Sequence, residues 1–278
     1  MAFGTILVHI DDNEHSWQRL EAAIRLASDS DARLVGIYLA PTLDISPSIA
    51  ALLPADLILS RQGELGALQH EAEHRFRSAT EAAGLARTGW RAPAGPAPDE
   101  IVAHGRCADL LLLGQSNRSD KDSDFSKELV VAALLSVGRP LLIIPHVGVA
   151  TAPGRNILVA WNGSRESARA VADAMPMLER AQQVIVLAAD DVDGRGISHS
   201  LSNGRLIDWL RDHGIEARLE CVSADIDIGE ALLSGAADHG ADLIVMGGYG
   251  HARLREMVLG SVTQTLLRAM TVPLLMSH

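Results

Sequence analysis

The chain has 278 residues, a length that suits one large domain or two domains of about 140 residues each. Its composition, 47% hydrophobic and 21% charged, is typical of a globular protein and excludes a mostly disordered or fibrous chain. The 35 acidic residues outnumber the 24 basic ones, and the resulting net charge of −11 repels phosphate backbones. We therefore expect no nucleic acid among the partners of this protein.

The sequence favours a cytoplasmic protein. Cys107 and Cys221 are the only cysteines, too few for a disulfide framework, so we expect a reducing compartment. Both thiols are expected to be inert groups in or beside core elements. The first residues do not resemble a signal peptide. The longest apolar stretch, 129–145, is interrupted by Gly138-Arg139-Pro140, so we expect no membrane span and no membrane partner.

The chain opens with an apolar run that predicts a buried strand, followed by a helix with Trp17, Leu20, Ile24 and Ala27 on one face. The same pattern returns 151 residues later, from Ile157 onward. These matching segments indicate an internal duplication.

A second match lies later in each half, where residues 108–114 align with residues 241–247 at an offset of 133. The difference between the two offsets assigns 18 extra residues to the first half. We place them after Leu39, where several prolines interrupt an apolar segment.

The duplication predicts two similar domains, at residues 1–147 and 153–278, joined by a short linker. In each of them, apolar runs rich in Ile, Val and Leu alternate with amphipathic helices, a pattern typical of βαβ units with strands buried on both faces. The second domain's predicted strands are 157–160, 184–187, 217–222, 243–246 and 272–276. The predicted fold class is α/β, with two tandem doubly wound parallel sheets. Such sheets bind ligands at the carboxyl ends of strands, where the strand order reverses.

A group of glycines follows the fourth predicted strand of the second domain. Gly247 and Gly250 come directly after the strand, and Gly260-Ser261 precedes the next helix, for which Ser261 is the expected N-cap. Glycines that allow close approach, together with backbone amides at a helix start, are typical of a phosphate site.

The spacing Gly-x2-Gly-x9-Gly-Ser resembles the motif of the universal stress protein family, and residues 157–164 resemble that family's first strand and turn. The duplicated arrangement is similar to the family's tandem members. The resemblance implies Rossmann-like domains of the adenine nucleotide alpha hydrolase-like type. It also implies ATP, alone or with Mg²⁺, as the ligand of the second domain. The residues implicated for the phosphates are Gly247, Gly250, Gly260, Ser261, Val262 and Thr263, and those for adenine and ribose are Ala160, Asn162 and Ala188.

The two halves depart from this family pattern in opposite ways. The second has Asn162 where the family usually has Asp, so a hydrogen bond to a ribose hydroxyl lacks charge assistance. The first half keeps the acid, Asp11, but Lys127 and Glu128 replace the Gly-Ser pair, and its loop contains several aspartates. Since those carboxylates repel a triphosphate, we expect no ATP in the first half.

The resemblance implies a regulatory protein of the stress response that binds ATP in its C-terminal domain, acts on an unidentified protein partner and is at most a slow ATPase. Two alternatives remain: a slow ATPase or nucleotide-dependent transferase, and a scaffold or small-ligand binder without nucleotide. Because the family's last strands commonly pair across a twofold axis, residues 141–144 and 274–277 are expected to meet within one chain. The chain would then form a pseudo-twofold monomer or a homodimer.

A histidine pair and a tryptophan each have more than one interpretation. His70 and His74, within His-Glu-Ala-Glu-His, match a zinc-protease signature, but the surrounding charges favour a solvated helix face, and we expect no catalytic metal there. Trp161 follows the expected adenine-binding residue Ala160, so stacking on a ligand and packing in the core are both open.

Overall fold

A computed structural model describes eight segments of the chain, namely residues 2–13, 15–39, 54–115, 123–149, 152–189, 196–223, 227–248 and 261–278. The first half contains β1 (Thr5–Ile10), α1 (Ser16–Ser30), β2 (Arg33–Tyr38), α2 (Ala55–Ala82), β3 (Thr88–Arg91), α3 (Ala97–Gly105), β4 (Leu110–Gly114), α4 (Ser123–Ser136) and β5 (Leu141–Ile144). The second half contains β6 (Asn156–Trp161), α5 (Arg165–Leu178), β7 (Gln183–Ala189), α6 (Gly196–Asp212), β8 (Ala217–Val222), α7 (Ile228–Asp238), β9 (Leu243–Gly247), α8 (Ser261–Ala269) and β10 (Leu274–Ser277).

The ten strands form one sheet in the order β3-β2-β1-β4-β5-β10-β9-β6-β7-β8. Each half therefore has the same doubly wound order, with its first strand between its second and fourth, and all pairs within a half are parallel. The halves meet where β5 pairs antiparallel with β10, with Leu142 opposite Leu275. The predicted α/β class and the predicted pairing of the last strands within one chain are confirmed, whereas the domain bounds 1–147 and 153–278 remain a prediction.

Two apolar clusters cover the two faces of the sheet. One contains buried residues of α1, α2, α5 and α6, and the other contains buried residues of α3, α4, α7 and α8. Central strands such as β4 and β9 are buried along nearly their whole length, because helices cover both faces.

The edge strand β8 departs from the expectation of strands buried on both faces. Its side chains are all half-buried or exposed, and Leu219 is 37% exposed. Since β8 pairs only with β7 at the end of the sheet, it lacks the neighbours that bury a central strand.

Of the residues predicted on one face of the first helix, Leu20 and Ala27 are buried, whereas Trp17 is 44% exposed. The corresponding Ala168 of α5 is exposed as well. The first position of the pattern therefore lies beyond the part of each helix that the sheet covers.

The repeated Ala-Asp sequence before β4 and β9 has a structural role. Asp109 Oδ2 accepts hydrogen bonds from the backbone N–H groups of Gly4 and Thr5, both at 2.9 Å. In the second half Asp242 Oδ1 accepts them from Gly154 at 2.9 Å and from Asn156 at 3.1 Å. These carboxylates hold the entry into β1 and β6, at the amino ends of the strands and hence away from the expected ligand edge.

The longer first half shows in its second helix, since α2 has 28 residues and α6 has 17. Pro54 directly precedes α2, whereas Pro41 and Pro47 lie outside the described residues. Both cysteines are exposed and neither forms a disulfide. Cys107 precedes β4 as expected, whereas the expected place of Cys221 in a core element is wrong. Cys221 is exposed because it lies on the edge strand β8. Within the described segments, no helix is long and apolar enough to cross a membrane.

Candidate functional site

The strand order of the second half reverses at β6, which pairs with β7 on one side and with β9 on the other. Ala160 lies opposite Leu187 and Met246, and Trp161 lies opposite Ala188. The register therefore brings Ala160, Ala188 and the strand-end Gly247 to one edge of the sheet. Ala160 is half-buried and Ala188 is buried.

The turn after β6 is exposed at Asn162. Asn162 Oδ1 accepts a hydrogen bond from the backbone N–H of Ser164 at 3.1 Å, and Ser164 Oγ in turn caps α5 by accepting from the N–H of Ser167. The carbonyl oxygen of the Asn162 amide therefore shapes the turn, and its N–H groups are the donors available to a ligand.

Gly247 has a packing reason to be glycine. A Cβ at this position would lie 2.5 Å from the backbone carbon of Glu166 and the backbone nitrogen of Ser167, so only glycine lets the first turn of α5 reach β9. The Glu166 carboxylate at this contact is 6% exposed. Burial alone would raise its pKa, but the hydrogen bond and charge of Arg165 keep the pKa below its usual value.

The other residues of the glycine motif are described only in part. Gly250 and Gly260 lie outside the described residues. Ser261, the expected N-cap, is the first residue of α8. Ser261 is exposed, Val262 is half-buried against the apolar cluster, and Thr263 is 4% exposed.

The same place in the first half is filled by a buried charged cluster. Arg19 is 4% exposed. Its Nε donates to the carbonyl oxygen of His9 at 2.6 Å, and its Nη2 donates to Asp11 Oδ2 at 2.9 Å and to Ser16 Oγ at 3.2 Å. Its Nη1 occupies the space that a Cβ of Gly114 would need. The guanidinium thus closes the carboxyl ends of β1 and β4.

Burial and the neighbouring charges set the protonation of this cluster. Burial lowers the pKa of His9 from 6.5 to about 4, with Asp11 raising it and Arg19 lowering it further. Burial alone would raise the pKa of Asp11, but Arg19 and His9 hold that pKa below its usual value. At neutral pH the cluster therefore contains a neutral imidazole beside an ion pair.

At the offset of 151, the residues that correspond to His9, Asp11 and Arg19 are Ala160, Asn162 and Ala170. Small or neutral side chains thus stand in the second half where the first half has its charged cluster. Sequence reasoning missed the roles of His9 and Arg19. The aligned repeat contained the signal, because it sets a charged Arg19 against an alanine on the buried side of a helix.

Gln115 was also missed as an interdomain contact. It directly follows β4, and its Nε2 donates to the carbonyl oxygen of Leu267 in α8 at 2.9 Å. Its Oε1 accepts from the backbone N–H of His146 at 3.0 Å. At the matching place in the other half, a Cβ on Gly248 would meet Leu134 Cδ2 of α4 at 2.8 Å. The end of the fourth strand in each half therefore contacts the last helix of the other half.

The histidine pair lies on the protein surface, and Trp161 lies away from Ala160. His70 and His74 lie on the exposed side of α2, where Glu71 pairs with Arg75, and among the described residues no group of three or more metal-ligating side chains occurs. Trp161 packs with the cluster of α5 and α6, whereas Ala160 packs with the cluster of α7 and α8. Trp161 therefore lies on the opposite face of the sheet from Ala160.

Comparisons with known proteins agree with this fold. Residues 154–278 match the model of the universal stress protein family. Universal stress protein Slr1230 of Synechocystis is 22% identical over 171 residues, which cover 60% of this chain and 57% of that relative. The crystal structure of a universal stress protein from Archaeoglobus fulgidus matches 98% of this chain and 95% of its own, at 17% identity and a TM-score of 0.75. A protein of unknown function from Pseudomonas aeruginosa matches 99% of this chain and 92% of its own, at 15% identity and a TM-score of 0.56. The second half of the chain, residues 154–278, therefore contains a universal stress protein domain.

Proposed function

We propose that the C-terminal half binds ATP as a regulatory ligand at the carboxyl ends of β6, β7 and β9, and that the N-terminal half does not. One observation carries the proposal. The two halves share one strand order, but the point of strand reversal contains Ala160 and Ala170 in the second half, where the first half contains His9 and a buried Arg19. The two side chains that fill this place in the first half therefore have only alanines as counterparts in the second half.

Three groups of the second half suit an adenine nucleotide. Ala160 offers a small apolar surface for the base, and the Asn162 amide N–H groups can donate to a ribose hydroxyl. The first turn of α8 has backbone N–H groups without partners in the helix, and with the exposed Ser261 hydroxyl they suit phosphate oxygens. Gly250 and Gly260 complete the set by their place in the motif, with Mg²⁺ as an optional partner of the phosphates.

Thermal denaturation with increasing ATP, with and without Mg²⁺, tests this proposal. ATP at 100 times its Kd should stabilise the parent chain by about 2.7 kcal/mol. Ala160→His, which introduces the residue found at position 9, and Gly260→Lys, which introduces the residue found at position 127, should remove the shift. The matched control His9→Ala should keep it. No shift in the parent chain, or an equal shift in Ala160→His, would contradict the proposal.

A phosphate-release assay separates a regulatory ligand from a substrate. We expect bound ATP to remain largely intact over many binding lifetimes, because the motif contains no lysine placed for phosphoryl transfer. Release that scales with protein concentration and disappears in Gly260→Lys would instead assign a slow ATPase.

A further inference from the structure

The second half has a cavity of about 540 Å³ between α5 and α6, at the end of β6. This volume lies within the range of small-molecule sites. Most of its wall is apolar, and two of the lining side chains are a serine and an arginine. The lining residues are Trp161, Ala168, Val171, Ala172, Ser202, Arg205, Leu206 and Trp209.

This cavity is separate from the proposed nucleotide site. Val171 and Leu206 belong to the apolar cluster of α5 and α6, against which Trp161 also packs. Ala160 packs against the cluster on the other face of the sheet. A molecule in the cavity would therefore lie across the sheet from a nucleotide bound beside Ala160.

The matching place in the first half has a smaller cavity. There a cavity of about 110 Å³ lies between α1 and α2, lined among others by Ile10, Trp17 and Leu20. At the offset of 151 these positions correspond to Trp161, Ala168 and Val171. Ala168 takes the place of Trp17 and Trp161 takes the place of Ile10, so the wall of the larger cavity loses an indole at one position and gains one at another. Of the two matching cavities, the one in the second half has the larger volume.

The side chains around the cavity indicate which molecules suit it. Two of the four tryptophans of the chain line it. Trp209 remains 37% exposed although its ring lies against that of His213, with centroids 4.2 Å apart and planes tilted by 40°. Large aromatic side chains exposed in a concave site favour a flat apolar ligand.

Arg205 adds a charge preference. It is exposed on α6, and among the residues that the structure describes no acidic side chain pairs with it, in contrast to Arg211 of the same helix, which pairs with Asp208 at 2.7 Å. An unpaired guanidinium beside an apolar wall, with the Ser202 hydroxyl also on the lining, suits a carboxylate or sulfonate. We propose that this cavity is a binding site for a small aromatic anion, distinct from the nucleotide site.

Binding of anilinonaphthalene sulfonate to the full-length chain, followed by its fluorescence in the presence of saturating ATP, tests the proposal. We expect saturable binding of one probe per chain. Ala168→Trp, which restores the tryptophan of position 17, should weaken it by more than about tenfold. The matched control Ala237→Trp, at an exposed position of α7, should bind as the parent does. Absence of saturable binding, displacement of the probe by ATP, or equal affinity in the two tryptophan variants would overturn the site.

Arg205→Gln tests the charge preference at an exposed position that should leave the fold intact. It should weaken the sulfonate by about fivefold and leave the neutral probe phenylnaphthylamine unaffected, while Arg211→Gln should change neither. Equal loss of both probes in Arg205→Gln, or no loss of the sulfonate, would show that the cavity does not select anions.

Discussion

His9 makes the stability of the first half depend on pH. Its side chain is 3% exposed, its Nδ1 lies 3.6 Å from Asp11 Oδ2, and its buried Nε2 has no hydrogen-bond partner within the described part of the chain. Burial and the charge of Arg19 oppose protonation of His9, and together they outweigh the Asp11 carboxylate and a backbone hydrogen bond at Leu39, which favour it.

The size of this effect follows from the two pKa values. An imidazole in the unfolded chain titrates near 6.5, and His9 in the folded chain titrates at about 4. Between these values the unfolded chain binds the proton and the folded chain does not, so stability falls as the pH falls. From pH 7 to pH 5 the loss from His9 is about 2 kcal/mol. Asp11 adds nothing in this window, because its lowered pKa places its loss of stability below its usual value of 3.8.

Urea denaturation of the parent chain and of His9→Leu at pH 7 and pH 5 isolates this contribution. We expect the parent to lose about 2 kcal/mol more than the variant between the two pH values. His70→Leu, on the exposed side of α2, controls for the removal of an imidazole and should behave as the parent does. An NMR titration of the His9 ring measures the folded pKa directly. Equal losses of unfolding free energy in the parent and in His9→Leu, or a His9 ring that titrates above pH 6, would show that His9 does not cause the pH dependence.

Two further predictions concern packing at the strand ends. Arg19→Met should destabilise the chain by about 3–5 kcal/mol in urea denaturation, because it leaves the 19% exposed Asp11 carboxylate without its cation. Adding Asp11→Asn should recover most of this loss, and an unchanged stability in Arg19→Met would contradict the role of the pair. Gly247→Ala should destabilise by about 1–3 kcal/mol, because its Cβ would lie 2.5 Å from the backbone of α5. Gly235→Ala in α7 is the control, because a Cβ there would make its closest contact, with Leu187, at an ordinary 3.5 Å. It should stabilise the chain by about 0.5–1 kcal/mol in the same assay. Similar losses in both variants would argue against close packing at Gly247.

The sequence was sufficient for the fold because parallel strands covered on both faces must be apolar throughout. The runs in β4 and β9 satisfy this condition, and their repetition at constant offsets shows the duplication. The rule was applied wrongly to β8, because Arg218 and Glu220 interrupt its apolar residues and the strand lies at the end of the sheet, half-buried or exposed throughout. The two charged residues were the local signal of this exposure.

The candidate site was less predictable, because its character depends on contacts between residues that are distant in sequence or ambiguous by type. Asp11 alone resembles a nucleotide ligand, since the family usually has an acid there, but the structure pairs it with Arg19. Asn162 alone predicts weaker nucleotide binding, although its side chain is exposed to solvent. The Asp11 carboxylate is thus already paired with Arg19, whereas the Asn162 amide is exposed to solvent. The residue type at a proposed ligand position therefore predicts binding only when the side chains that compete for it are known, and here positions 11 and 19 must be considered together.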